Sequence, residues 1–116
     1  MADDRGEARV PLVRVERGEQ SVVVRVSGEI DLDRAPLLRD ALDTVITRPD
    51  CPNEIVVDLG EVTFCDSSGL NTLLQARLTA HEHGRRIRLH APTSQVIHLL
   101  ELTGTDQLFP ITGLRP

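Results

Sequence analysis

Between residues 54 and 70 the chain switches from strand to helix, and that switch constrains the fold more than any other feature. Glu54-Ile55-Val56-Val57-Asp58-Leu59 is a near-continuous apolar run, the pattern of a strand covered on both faces in a parallel sheet. A short loop then leads through Phe64-Cys65-Asp66-Ser67-Ser68-Gly69 into a helix with Leu70, Leu73, Leu74 and Leu78 at helical spacing. A buried strand that feeds a helix in this way belongs to an alternating α/β layer architecture.

The rest of the chain fits that frame. Leu12–Val15 and the β-branched run Val22–Val26 flank a turn at Gly18-Glu19-Gln20, which predicts a hairpin. Gly28-Glu29-Ile30-Asp31 follows, and Asp33 is placed to cap a first helix with Pro36 in its first turn and Leu38, Ala41, Leu42, Val45 and Ile46 on its apolar face. Pro49 ends that helix. Gly84 suits the end of the second helix, Arg86–His90 alternates as a strand, and a third helix runs from a cap at Thr93 or Ser94 to Gly104. Leu108–Ile111 reads as a last short strand, set at a sheet edge by Pro110. The expected fold is α/β, a small mixed sheet in the order β-β-α-β-α-β-α-β with helices packed against it. With 116 residues this is one domain, residues 11–116, preceded by a short charged tail over residues 1–10.

Composition removes several function classes. Phe64 and Phe109 are the only aromatics and the net charge is −5, so neither stacking platforms for bases nor a basic patch for phosphates is present, and no nucleic-acid contact is expected. Arg85, Arg86 and Arg88 form the one local basic cluster, read as a solvated strand edge. No run approaches the roughly 20 apolar residues of a membrane span. The polar, acidic start Met1-Ala2-Asp3-Asp4 is no signal sequence, so a cytoplasmic location without membrane contact is expected. Cys51 and Cys65 have no metal-ligand or redox spacing and read as reduced bystanders.

The chemistry of the chain concentrates at the start of the second helix. The first-turn N–H groups of a helix lack intrahelical acceptors and carry partial positive charge, so Asp66, Ser67 and Ser68 are all suited to cap it. Gly69 carries no side chain, which reads as leaving the adjacent serine open to another protein's backbone. An enzyme with a serine nucleophile needs a base within hydrogen-bond reach. His81 and His83 lie about 20 Å away along a helix rising ~1.5 Å per residue, no Gly-x-Ser-x-Gly elbow is present, and His90 is the one histidine on the same sheet edge. A nucleotide site would require a Walker-type loop with a lysine, and the chain contains no lysine. No catalytic residue, metal site or cofactor is expected.

Four segments together resemble the STAS domain in its small, stand-alone bacterial form, the anti-sigma factor antagonists. They are Gly28-Glu29-Ile30-Asp31 after a valine-rich strand, Ile55–Leu59, Phe64–Leu70, and Leu100-Glu101-Leu102-Thr103-Gly104. The resemblance covers about residues 10–112. It implies that Ser68, directly before the glycine, is the phosphoacceptor, with Ser67 the weaker candidate and Asp66 the acidic neighbour. It also implies a partner-binding surface made of Asp31, Asp66, Ser67, Ser68, Gly69 and Asn71, the last standing where the family commonly has glycine. The implied partners are a serine kinase that doubles as an anti-sigma factor, and a serine phosphatase that reverses the mark. The free protein is expected to be a monomer. The alternative within the family is a non-phosphorylated STAS subunit that docks onto a transporter or a stress-sensing assembly.

Overall fold

The computed structural model describes residues 12–114; the tail expected over residues 1–10 lies outside them. Strands β1 (Val13–Arg17) and β2 (Ser21–Ile30) form the expected hairpin, followed by helix α1 (Ala35–Thr47), strand β3 (Glu54–Cys65), helix α2 (Ser67–Glu82), strand β4 (Arg86–His90), helix α3 (Ser94–Thr103), a 3-10 turn at Thr105–Gln107 and strand β5 (Ile111–Thr112). The five strands lie side by side in sequence order. Only β1 and β2 run antiparallel; each later pair is parallel, as strand–helix–strand connections require.

Alternation decides which side chains enter the core. Val22, Val24 and Val26 of β2, Ile55, Val57 and Leu59 of β3, and Ile87 and Leu89 of β4 are buried, together with Leu38, Leu42 and Ile46 of α1 and Val96 and Leu100 of α3. The opposite sheet face is half-buried and ionic. Arg25 bonds Asp58 at 2.7 Å and Glu16 at 3.2 Å, and Arg88 bonds Glu54 at 3.0 Å. Coverage of β3 on both faces is thus confined to Ile55–Val57; Glu54 and Asp58 are held by arginines across the strands instead.

Several expectations are corrected. β3 does not stop at Leu59 but runs to Cys65, because two irregularities in its pairing with β2 absorb extra residues; the first is braced by Asp58, whose Oδ1 accepts from the Gly60 N–H at 2.9 Å. The last strand is Ile111–Thr112, since the chain turns through a 3-10 segment before it; it does form the sheet edge. Asp33 does not cap α1: Asp31 accepts from the Arg34 N–H at 3.0 Å and makes the turn into the helix. Leu78 is 52% exposed. The inward stripe of α2 is Gly69, Leu70, Thr72, Leu73, Ala76 and Ala80, whose small residues suit the contact with α1. Gly84 and Gly104 end α2 and α3 in the left-handed region, with φ of +71° and +73°.

The basic cluster is also structural. Arg85 is buried, and its guanidinium donates to the carbonyls of His83, Arg48 and Cys51 at 2.9–3.2 Å. It ties the ends of α1 and α2 together. Arg88 lies inside the sheet, between Glu54 and Thr112, so only Arg86 is left as an exposed strand residue.

Candidate functional site

The site begins where β2 and β3 end. Their register pairs Ile30 with Cys65, and the Asp66 N–H donates to the Ile30 carbonyl at 3.3 Å. The next residues, Asp31 and Asp66, therefore sit on adjacent strand ends, about 5 Å apart by strand spacing. Both carboxylates are engaged. Asp31 holds the turn into α1 and lies 3.7 Å from the Arg34 guanidinium.

Asp66 is the N-cap of α2: its Oδ1 accepts from the Ser68 N–H at 2.8 Å and the Gly69 N–H at 3.4 Å. Of the three possible caps the structure selects this one, which leaves both serine hydroxyls off the capping bonds. Replacing Asp66 with Ala should cost about 1 kcal/mol of stability, whereas Asn should be nearly neutral. Urea melts of the two variants check this.

Ser67 is exposed and Ser68 half-buried. Ser68 lines a shallow groove of ≈ 250 Å³ between the first turns of α1 and α2, together with Leu32, Ala35, Pro36, Arg39, Asn71, Thr72 and Gln75. Arg39 is the one charged residue in that lining, and Leu32, 73% exposed, forms an apolar rim. Asn71, one helical turn beyond Ser68, is exposed in the same groove. The structure thus brings Asp66, Ser68 and Asn71 into one small area, with Ser67 and Asp31 beside it.

Gly69 has a different role from the one expected. It is buried, and a Cβ built on it would lie 2.7 Å from Cys65 Sγ and 2.8 Å from Ile30 Cγ2. Its missing side chain lets the start of α2 press against the strand ends, and the space it leaves lies inside the fold rather than at the surface. The neighbouring Cys65 thiol is pushed up to about 11 by burial, with the Asp66 charge adding to the shift. Cys65 should resist iodoacetamide in folded protein at pH 8 and react in urea. Because the folded thiol holds its proton above the ordinary value of 9.0, its contribution to stability is intact below pH 9 and falls as the pH rises toward 11.

His90 does not serve the serines. Its Nδ1 lies 3.0 Å from Thr112 Oγ1, and its ring packs directly under Gly113 at the far side of β4. One contributor was missed in the sequence. Gln95 of α3 bonds both backbone groups of Cys65, with Oε1 accepting from the N–H and Nε2 donating to the carbonyl, each at 2.9 Å. No local sequence signal marks it, because the contact joins residues 30 apart.

A family model described as "Mlab, STAS domain" matches residues 13–113. The chain belongs to the STAS-domain family. Curated relatives of this STAS domain include the anti-sigma-F factor antagonist RsfB of Mycobacterium tuberculosis, 33% identical with 80% of each chain covered. Another is the anti-sigma F factor antagonist of Paenibacillus polymyxa, 29% identical over 85% of this chain and 84% of the relative. Among solved structures, an anti-sigma factor antagonist from Mycobacterium paratuberculosis superposes with a TM-score of 0.74 at 33% identity, covering 86% of this chain and 83% of that one. No helix among the described residues is long and apolar enough to cross a membrane.

Proposed function

We propose that this STAS domain is an anti-sigma factor antagonist that binds an anti-sigma factor serine kinase when Ser68 is unmodified and loses it when Ser68 is phosphorylated. The observation that carries the reading is the position of Ser68: a hydroxyl in the first turn of α2, free of the capping bonds and on the wall of a groove with an exposed apolar rim. The relatives named above, anti-sigma factor antagonists by name, support the partner class.

The switch follows from charge. Transfer of the γ-phosphoryl group of ATP to Ser68 Oγ forms one O–P bond, releases ADP and gives the hydroxyl proton to a base of the kinase. It adds about −1.5 to −2 charges and three acceptor oxygens. The start of a 16-residue helix tolerates that charge through its dipole, so the fold survives. A partner surface packed into the groove against a bare hydroxyl meets bulk and an anion that is costly to desolvate, and Asp66 adds like charge. Unmodified protein captures the anti-sigma factor and frees the sigma factor. Phosphoprotein does neither, until a serine phosphatase restores the hydroxyl.

The reading is tested by adding the protein to a preformed complex of sigma and anti-sigma factor from the same organism and following sigma-dependent transcription in vitro. Transcription should recover with unmodified protein and stay off with protein phosphorylated at Ser68. Recovery with neither form, for every such pair in the genome, would refute it.

A further inference from the structure

We infer that Gln95, on α3, is the positioning residue of the Ser68 site. The inference deepens the reading just given and rests on it for its kinetic arm. β4 pairs with β3 only as far as Asp58, opposite His90. Beyond that point β3 continues to Cys65 with β2 on one side and, among the described residues, no strand on the other. Backbone groups on that unpaired side need partners, and the first turn of α3 supplies them. Thr93 Oγ1 donates to the Val62 carbonyl at 3.1 Å, and the Gln95 carboxamide accepts from the Cys65 N–H and donates to the Cys65 carbonyl at 2.9 Å each.

A carboxamide presents a donor and an acceptor side by side, the pair a residue of a neighbouring strand would present. Gln95 therefore stands in for the missing strand at the residue immediately before the cap of α2. Thr93 points the same way independently: it occupies the N-cap position of α3, yet its hydroxyl makes no capping bond and goes to β3 instead. From Gln95 the order passes to Cys65, then to Asp66, whose carboxylate fixes the Ser68 and Gly69 amides. The direction of the Ser68 hydroxyl is set from α3. Leu at position 95 keeps the bulk and makes neither bond; Glu keeps the acceptor for the Cys65 N–H and lacks the donor. Gln95 is itself a surface residue, so both variants should fold.

The test has two arms. In the free protein, amide hydrogen exchange followed by NMR should show the Cys65 amide exchanging about tenfold faster in Gln95→Leu than in wild type, with Leu42 and Leu89 unchanged and Gln95→Glu close to wild type at Cys65. Unchanged protection of Cys65 in Gln95→Leu would overturn the clamp. In the second arm, the ATP-dependent anti-sigma kinase that modifies wild type is used. Gln95→Leu should lower kcat about tenfold with KM within about twofold, since a displaced hydroxyl affects transfer while the groove remains; Gln95→Glu should recover part of the loss. A lowered melting temperature with unchanged kcat would reduce Gln95 to a structural residue and overturn the inference. Failure of every kinase on wild type would instead remove the phosphorylation reading, and the exchange arm would decide the clamp alone.

Discussion

Ser68→Asp should bind the anti-sigma factor a few hundred- to a few thousand-fold more weakly than wild type, a loss of roughly 3–5 kcal/mol, while unfolding close to the wild-type temperature. The two halves of that result have separate causes. Affinity falls because the variant places a carboxylate in the groove, where a docked partner must strip its water without offering a matched cation. Stability holds because the residue lies in the first turn of α2, where the helix dipole favours negative charge, and because Ser68 is only half-buried. One carboxylate carries less charge than a phosphoryl group, so Asp should sit at the weaker end of the range and the phosphoprotein at the stronger. Ser68→Ala should keep the affinity within a few-fold. Ser67→Asp is the informative neighbour. Ser67 is exposed and outside the groove lining, so its effect should be much smaller. Isothermal titration calorimetry of the five proteins, the phosphoprotein included, against one anti-sigma factor checks the series.

Gly69→Ala is the second large effect, and its sign is opposite to what helix propensity suggests. Inside an exposed helix the change gains up to about 1 kcal/mol. Here the new methyl meets Cys65 Sγ and Ile30 Cγ2 at 2.7 and 2.8 Å, both on strand ends locked in register. Overpacking of this kind costs about 1–3 kcal/mol, and two contacts this close place it at the upper end. The expected outcome is a net loss of about 2 kcal/mol, or roughly 10 °C in melting temperature for a domain of this size. Because the start of α2 is pushed off the strand ends, Ser68 moves too, and phosphorylation should slow in protein that is still folded. A variant as stable as wild type would show that the helix start yields freely.

What the sequence discloses about this chain is whatever repeats with a fixed period. The alternation of Val22, Val24 and Val26, the apolar run Ile55–Val57 and the spacing of Leu38, Leu42 and Ile46 each carry their own direction, and the element order follows from them. The features that escape are those fixed by another part of the chain. The extension of β3 to Cys65 depends on bulges against β2. The buried place of Arg85 depends on carbonyls at residues 48 and 51. Leu78 has the apolar character of a core residue, but Ala76 and Ala80 occupy the inward positions of its helix. At the site, Asp66-Ser67-Ser68-Gly69 is legible as a helix start with hydroxyls at its mouth. Gly69 shows the limit: an absent side chain looks the same from sequence whether it opens a surface or closes a core. Asp31 belongs to the site in the sequence only through the family resemblance, and its use in the α1 turn, in place of Asp33, is fixed by its contact with the Arg34 N–H.

Peptide mass spectrometry of the protein after incubation with ATP and each anti-sigma factor kinase of the same genome, beside Ser68→Ala, tests the central claim most directly. The account predicts a single added phosphoryl group on Ser68 with at least one kinase, absent from the Ser68→Ala variant. A phosphoryl group mapped to Ser67, or no addition with any kinase to folded protein, would contradict it, the second result pointing to a STAS subunit that docks without phosphorylation.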